Sequence, residues 1–290
     1  MSLSNPLPLG SPICRRALVL GAGFVGGEVI RRLAGRGWEV QGTRSRDLDL
    51  TGQNAWEKLS RMLRQGDTLV FVAAKAPVKT PEILVENLQM AQNVLRACQK
   101  TPPGHLVYVS SDAVYADGPC PLSEDSPAAP TSLHGVMHLT RELMMKTLHP
   151  VPLAVVRPTL IFGEEDPHNG YGPNQFLRLA KSGKPIRIFG KGEEQRDHIH
   201  VGDVAEMIAE IVVRGRTGIV NAVTGETTSF LAIAEKIRKK CPVRIEFVER
   251  LGPPPHNGYR AFAAAKTKAL VPRLILHRLD EYISIQTRKE

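Results

Sequence analysis

The chain has 290 residues, 42% of them hydrophobic, enough for one large domain or for a domain with a smaller lobe. Its formal charge of +9 suits anionic ligands such as nucleotides, sugar nucleotides or RNA. The basic residues are scattered, however, and five Tyr and two Trp leave few surfaces for base stacking, so nucleic acid is not the expected partner. Cys14, Cys98, Cys120 and Cys241 are far apart with no CxxC pair, which argues against a disulfide framework or zinc site and for reduced thiols in a cytoplasm. No apolar run approaches a membrane span. The opening "MSLSNPLPLGSPI" lacks a basic segment before an apolar stretch, so residues 1–15 read as a frayed leader rather than a signal peptide.

From residue 16 the chain alternates short apolar runs with helix-period segments. "RALVLGAG" is a strand breaking into glycine, and "GGEVIRRLAGRG" continues as a helix with Val25, Val29, Ile30 and Leu33 on one face. A strand at "WEVQGT", a helix around "NAWEKLSRMLRQ" and a strand at "TLVFVAA" come next. A helix over "ILVENLQMAQNVLRACQK", a strand at "HLVYVSS", a helix across 132–147 and a strand at "LAVVRP" follow. Such alternation with short connections predicts an α/β fold, a doubly wound parallel sheet of the Rossmann type.

Beyond residue 158 the pattern loosens. "GEEDPHNGYGPN" has loop composition and leads to a short helix at "QFLRLAKSG" and strand-like "IRIFG" and "HIHV". Helices are expected at "GDVAEMIAEIVV" and "SFLAIAEKIRKK", a strand at "RIEFVE", then a loop at "LGPPPHNG". A break near 160 divides a dinucleotide-binding domain (16–160) from a smaller C-terminal substrate-binding lobe (161–290), with the two interleaved.

"GAGFVG" is a GxGxxG placed after a strand and opening a helix. Gly21 permits the tight turn, Gly23 lets backbone approach a pyrophosphate, and Gly26 lets the helix pack against the sheet. An NAD site would carry an acid at the end of the second strand. Here "QGTRSR" puts Arg44 there and Arg46 just beyond, a pattern suited to the 2′-phosphate of NADP.

Together the motifs resemble an extended short-chain dehydrogenase/reductase, the NAD-dependent epimerase/dehydratase family that includes UDP-galactose epimerase, nucleotide-sugar dehydratases and dTDP-dehydrorhamnose reductase. The resemblance runs over roughly residues 16 to 270. It assigns Gly21, Gly23, Phe24, Val25 and Gly26 to the cofactor, with Asp49 and Leu50 of "DLDLTG" on the adenine side. It adds Ala73, Ala74 and Lys75 of "FVAAKAP", Asn87 of the following helix, and Pro158 of "RPTLIFG". "YVSSDAVYAD" supplies Ser111, which in the family orients substrate and shares protons, beside Asp112 and Tyr115 in the substrate pocket. "QRDHIHVGDVA" brings Arg196 to a nucleotide diphosphate, and "DPHNG" puts His168 and Asn169 on the loop over the sugar. NADP, with NAD as the other candidate, a nucleotide-linked sugar and a homodimer are the implied partners. Asp112 is followed by Ala113, where a dehydratase would carry an Asp-Glu pair, which disfavours dehydration.

One departure stands out. "PTSLHGVMHLTRE" keeps the frame of the family's catalytic helix, with Ser132, Gly135, Leu139 and Glu142, but His134 and His138 replace its tyrosine and lysine. Four-residue spacing puts both on one helical face. Two histidines so spaced can hold a metal, but no acidic or Cys ligand nearby completes a set, and no metal is expected. Imidazole, with a pKa of about 6.5, is a general acid or base without help from lysine. Two outcomes stay open: His134 has taken over proton transfer, with His138 near the ribose, or the fold persists as a non-catalytic nucleotide binder, a redox sensor or RNA-associated protein. Tyr115 is a substitute phenol.

Overall fold

The computed structural model describes residues 15–119 and 121–288. The expected leader (residues 1–15) therefore lies outside the described residues apart from Arg15, as does Cys120. The first half alternates as the periodicity predicts: β1 (Arg16–Leu20), α1 (Phe24–Ala34), β2 (Glu39–Thr43), α2 (Ala55–Met62), β3 (Thr68–Phe71) and α3 (Pro81–Lys100). Then come β4 (His105–Val109), a 3₁₀ turn at Asp112–Val114, α4 (Leu133–Lys146) and β5 (Leu153–Pro158). Thr80 and Ser132 cap α3 and α4, each side-chain oxygen accepting the N–H three residues on.

The second half holds β6 (Leu160–Phe162), α5 (Pro173–Lys181), β7 (Ile186–Phe189), β8 (Gln195–His200), α6 (Val201–Arg214) and β9 (Gly218–Ala222). It closes with β10 (Thr227–Ser229), α7 (Phe230–Lys240), β11 (Ile245–Val248), β12 (Tyr259–Arg260), α8 (Ala265–Leu270) and α9 (Leu279–Gln286). The central sheet runs β2-β1-β3-β4-β5-β9, parallel throughout. Its sixth strand comes from residues 218–222, so the boundary at 160 divides the sequence but not the sheet.

Side-chain alternation along β1 splits the core. Ala17 and Val19 face α1 and α6, while Leu18 and Leu20 face α2 and α3. A separate cluster of Phe176, Ile186, Ile188, Phe230 and Ile233 builds the smaller lobe. No described helix is long and apolar enough to cross a membrane. The strand order reverses direction between β1 and β3, and a crevice opens there at the carboxyl ends of the strands, the position where such sheets bind ligands.

Candidate active site and cofactor cleft

That crevice is a cleft of about 760 Å³ whose walls include Gly21, Gly23, Phe24, Arg44, Asp49 and Lys75. The turn after β1 is fixed from β2, because the N–H groups of Gly21 and Ala22 both donate to the Thr43 carbonyl at 3.0 and 2.8 Å. A Cβ on Gly26 would collide with the Gly21 carbonyl, so the turn and helix can close only on glycine. Gly23 is the opposite case: a Cβ there would meet nothing within 4 Å. The space above Gly23 is open to a ligand, and the first-turn N–H groups of α1 point into it without intrahelical partners. A pyrophosphate fits this cradle by both charge and hydrogen bonding.

Arg44 folds over the loop, its Nε donating to the Ala22 carbonyl at 3.0 Å. Its terminal nitrogens hold no acceptor among the described residues. Asp49 is braced by Thr51, which donates to Oδ1 from its backbone N–H at 2.9 Å and from its hydroxyl at 2.7 Å. These bonds hold the carboxyl below its ordinary range. Leu50, Ala73 and Ala74 also line the cleft.

Besides Gly26, four residues expected at the cofactor do not line the cleft. Arg46 is outside the cleft, its side chain on the surface 3.8 Å from Asp47, although Ser45 before it lines the cleft. Val25 turns its side chain into the core, leaving only its backbone N–H for a phosphate. Pro158 is buried where β5 pairs with β9. Asn87 is wholly buried and works behind the cleft: it accepts the Lys75 N–H at 3.1 Å and donates to the Lys75 carbonyl at 2.9 Å. It shapes the Ala73–Lys75 loop from behind.

The other end of the candidate site is formed by α4, whose residues are not among those lining the cleft. Gly135 lets this helix lie on the 3₁₀ turn, since a Cβ there would run into the Ala113 carbonyl. His134 thereby comes under the electrostatic influence of Asp112 and His168. Its Nδ1 is enclosed and has no partner among the described residues. Burial lowers the pKa of His134; Asp112 opposes this and His168 adds to it. His138 is buried, its ring edge-on to His134 with centroids 4.8 Å apart, and its Nδ1 lies 2.9 Å from the Tyr108 hydroxyl. Burial puts its pKa well below the ordinary imidazole value, with His134 and Arg141 adding to the effect.

Ser111 caps the turn, its Oγ accepting the Ala113 N–H at 3.1 Å and lying 3.4 Å from Asp112 Oδ1. Arg196 sits between two carboxylates, 3.8 Å from Asp112 Oδ2 and 3.3 Å from Glu194 Oε1. Arg260, fully buried, lies 3.3 Å from Asp112 Oδ2 and 2.8 Å from Asp117 Oδ1. Tyr115 is not a pocket residue: it is 2% exposed, and its hydroxyl donates to Asn221 at 2.6 Å beneath the sheet edge. It is neither a substitute phenol nor a substrate contact. His168 is exposed on the 163–172 loop, whereas Asn169 is drawn to α5, its Oδ1 accepting from Arg178 at 3.0 Å.

A model of the NAD dependent epimerase/dehydratase family matches residues 17–223. The chain belongs to that family. Among curated proteins it is similar to the dTDP-glucose 4,6-dehydratase of Streptomyces niveus, 26% identical over 212 residues, which are 67% of this chain and 60% of that enzyme. A "Putative UDP-glucose 4-epimerase" of Methanocaldococcus jannaschii is 26% identical over 257 residues, 79% of this chain and 83% of the relative. Among solved structures, a UDP-glucose 4-epimerase of Thermotoga maritima with UDP-glucose superposes with a TM-score of 0.81 at 19% identity, over 94% of this chain and 97% of that one. The UDP-glucose 4-epimerase of Thermus thermophilus with NAD gives 0.80 at 23% identity, over 94% and 97%. These likenesses carry the fold.

Within this fold, Arg141 is not singled out in the sequence and Glu142 is named there only as part of the helix frame. Arg141, one turn after His138, is fully buried and donates to the carbonyls of Ala73 (2.9 Å) and Asn87 (2.7 Å). Glu142 binds Arg157 through both oxygens, at 2.9 and 2.6 Å, and accepts from Ser110 at 2.6 Å. The available signal was charge on the buried stripe: His134, His138, Arg141 and Met145 share a face at helical spacing. His200, Asp203 and His277 also converge, their nearest ligand-type atoms within 4.8 Å. They suit one another better than a metal. His200 Nδ1 accepts the Gly202 N–H, which leaves the proton on Nε2, and Asp203 already accepts from the backbone and ring of His277.

Proposed function

We propose that the chain is an NADP-dependent oxidoreductase or epimerase acting on a nucleotide-linked sugar, with His134 as its proton-transfer residue. The observation that carries the reading is the His134 imidazole on α4, which feels the Asp112 charge beside Ser111. Gly23, the first turn of α1 and the Ala73–Lys75 loop would hold the dinucleotide, and the unengaged nitrogens of Arg44 favour a 2′-phosphate. When bound, nicotinamide supplies or accepts the hydride. His134, neutral by burial, takes the proton of a sugar hydroxyl during oxidation and returns it during reduction. Ser111, its hydroxyl 3.4 Å from Asp112, can turn that proton toward the same sugar oxygen. The homodimer belongs to this reading, with Val85 on α3 and Val136 and Leu143 on α4 as exposed apolar surface.

A second reading, nucleotide binding without turnover, draws on one observation: Arg196 and Arg260 are already neutralised by the chain's own carboxylates. Purified protein titrated with NADPH or NADP and then offered sugar nucleotides separates the two. A change in nicotinamide absorbance supports turnover. Absence of any change, with activity appearing in the His134→Tyr, His138→Lys double variant, identifies α4 as a disarmed catalytic helix.

A further inference from the structure

Arg141 poses a problem of charge. It is a fully buried cation, yet every hydrogen bond it makes among the described residues goes to a neutral partner: the Ala73 and Asn87 carbonyls, the Asn87 amide oxygen and the Met90 sulfur. No carboxylate stands within ion-pair distance of it among those residues. Its neighbour Glu142 is committed to Arg157 and Ser110. A buried charge without a counter-ion costs several kcal/mol, so such an arrangement needs an interaction that uses the charge. Its guanidinium lies over the Phe71 ring, 4.9 Å from the centroid, and two further neutral groups are placed to use the charge: the loop carbonyl of Ala73, on the wall of the cleft, and Tyr108.

Tyr108 is fully enclosed on β4, with its hydroxyl 2.9 Å from His138 Nδ1 and its ring tilted 36° to the imidazole. Burial pushes the phenol up, with Arg141 opposing, so Tyr108 keeps its proton and has a hydrogen to give. Among the described residues the one hydrogen-bond partner within reach of that hydrogen is His138 Nδ1. A neutral imidazole that accepts at Nδ1 carries its proton on Nε2. Nε2 makes no hydrogen bond among the described residues.

We propose that Tyr108 is a positioning residue for the reaction: it donates to His138 Nδ1, locks that ring as the Nε2–H tautomer, and links it to Arg141, whose buried charge stands in for the lysine this helix lacks. The proposal rests on the reading of α4 given above. It replaces one flexible cation by two groups, a fixed charge behind the wall and a neutral donor in front of it. His138 then keeps its proton on Nε2 in the neutral range, and carries no charge to repel a proton from His134.

Nitrogen-15 spectroscopy of histidine-labelled, full-length protein tests this independently of turnover. In the wild type, His138 should show a protonated Nε2 and an unprotonated Nδ1, unchanged from about pH 5.5 to 8. Tyr108→Phe should release the tautomer lock, giving mixed or exchanging signals. It should also raise the NADPH dissociation constant about 2- to 10-fold, the worth of one hydrogen bond. Arg141→Lys should preserve the wild-type pattern, and Arg141→Gln should not. A wild-type spectrum with the proton on Nδ1 overturns the proposal, even if Tyr108→Phe fails to fold. An unaltered His138 spectrum in folded Tyr108→Phe overturns it as well. If the lock is present but no sugar nucleotide is turned over, the proton-transfer reading fails while the tautomer assignment stands.

Discussion

At the glycine-loop end of the candidate site the groups that face a ligand are open, whereas at the α4 end they are bonded to one another. Gly23 has empty space above it, the first turn of α1 has spare N–H groups, and Arg44 uses only Nε. By contrast, Arg196 faces Glu194 and Asp112, Arg260 faces Asp112 and Asp117, and His138 faces Tyr108. A ligand gains the full hydrogen bond at the first end. At the second it gains only the difference between the new partner and the one it displaces. Binding strength should therefore come from the cofactor end and selectivity from the substrate end. His134 is the exception, its Nδ1 making no hydrogen bond or ion pair among the described residues.

That exception gives the largest expected effect. His134→Ala should lower turnover by roughly 10² to 10⁴, the usual worth of a positioned acid or base. His134→Asn should do nearly as much harm while keeping a polar side chain of similar bulk. Burial lowers the pKa of this residue below the ordinary 6.5, so the base form is present throughout the neutral range. In the oxidation direction, kcat/KM should be flat above pH 6.5 and fall only in more acidic solution. A limb rising toward a phenol-like pKa of about 10, or activity that survives His134→Ala, would remove imidazole from the mechanism.

A comparable energy is stored in histidines that do no chemistry. Burial lowers His105 to about 4 and His198 to about 3. Both are neutral in the folded chain and titrate near 6.5 when unfolded, so their contribution is complete above pH 6.5 and is lost as pH falls toward the folded values. Between pH 7 and pH 5 each should cost roughly 2 kcal/mol of stability. Thermal or urea unfolding at the two pH values measures the sum over all the buried histidines, and His198→Gln should reduce the pH dependence by roughly 2 kcal/mol. Equal stability at both would show that these rings take up protons without unfolding.

Arg44→Ala tests the open end directly. Losing charge-assisted hydrogen bonds costs roughly 1.5 to 3 kcal/mol, or about 10- to 150-fold in affinity. The loss should fall on NADPH and spare NADH. Equal weakening of both in a fluorescence titration would refute the 2′-phosphate assignment and leave Arg44 as a brace for the Ala22 carbonyl.

The two ends also differ in how far they could be read from sequence. The glycine loop is local: turn, open approach and close packing fall within six residues, and each glycine does what its place in the fingerprint demands. The frame of α4 was equally legible, because Ser132 caps it and His134 and His138 share a face at helical spacing. What could not be read was non-local partnership. Tyr108 meets His138 from 30 positions away, and Arg260 reaches the Asp112 carbonyl across 148. No periodicity encodes such pairs. Asn87 and Tyr115 fall in the expected motifs, yet their side chains point behind the cleft to the Lys75 backbone and to Asn221. A motif fixes a residue's place along the chain, while the direction of its side chain depends on what the rest of the fold offers it.

The smallest effect should be at Arg196, and its sign is what matters. Because Arg196 is already shared between Asp112 and Glu194, Arg196→Ala should weaken UDP-glucose binding less than Arg44→Ala weakens NADPH binding, by about tenfold at most. Asp112→Asn should act the other way. It removes one of the carboxylates that a diphosphate has to displace, so UDP should bind about 2- to 10-fold more tightly. The same carboxylate opposes the lowering of the His134 pKa, so its removal should leave a weaker base and slower oxidation. Asp112→Asn is thus expected to tighten nucleotide binding and reduce turnover together, a split that calorimetry and initial rates can read separately. Weaker UDP binding in this variant would mean that Asp112 holds Arg196 in place for the phosphates, and the bonded end of the candidate site would then be preorganised for its ligand.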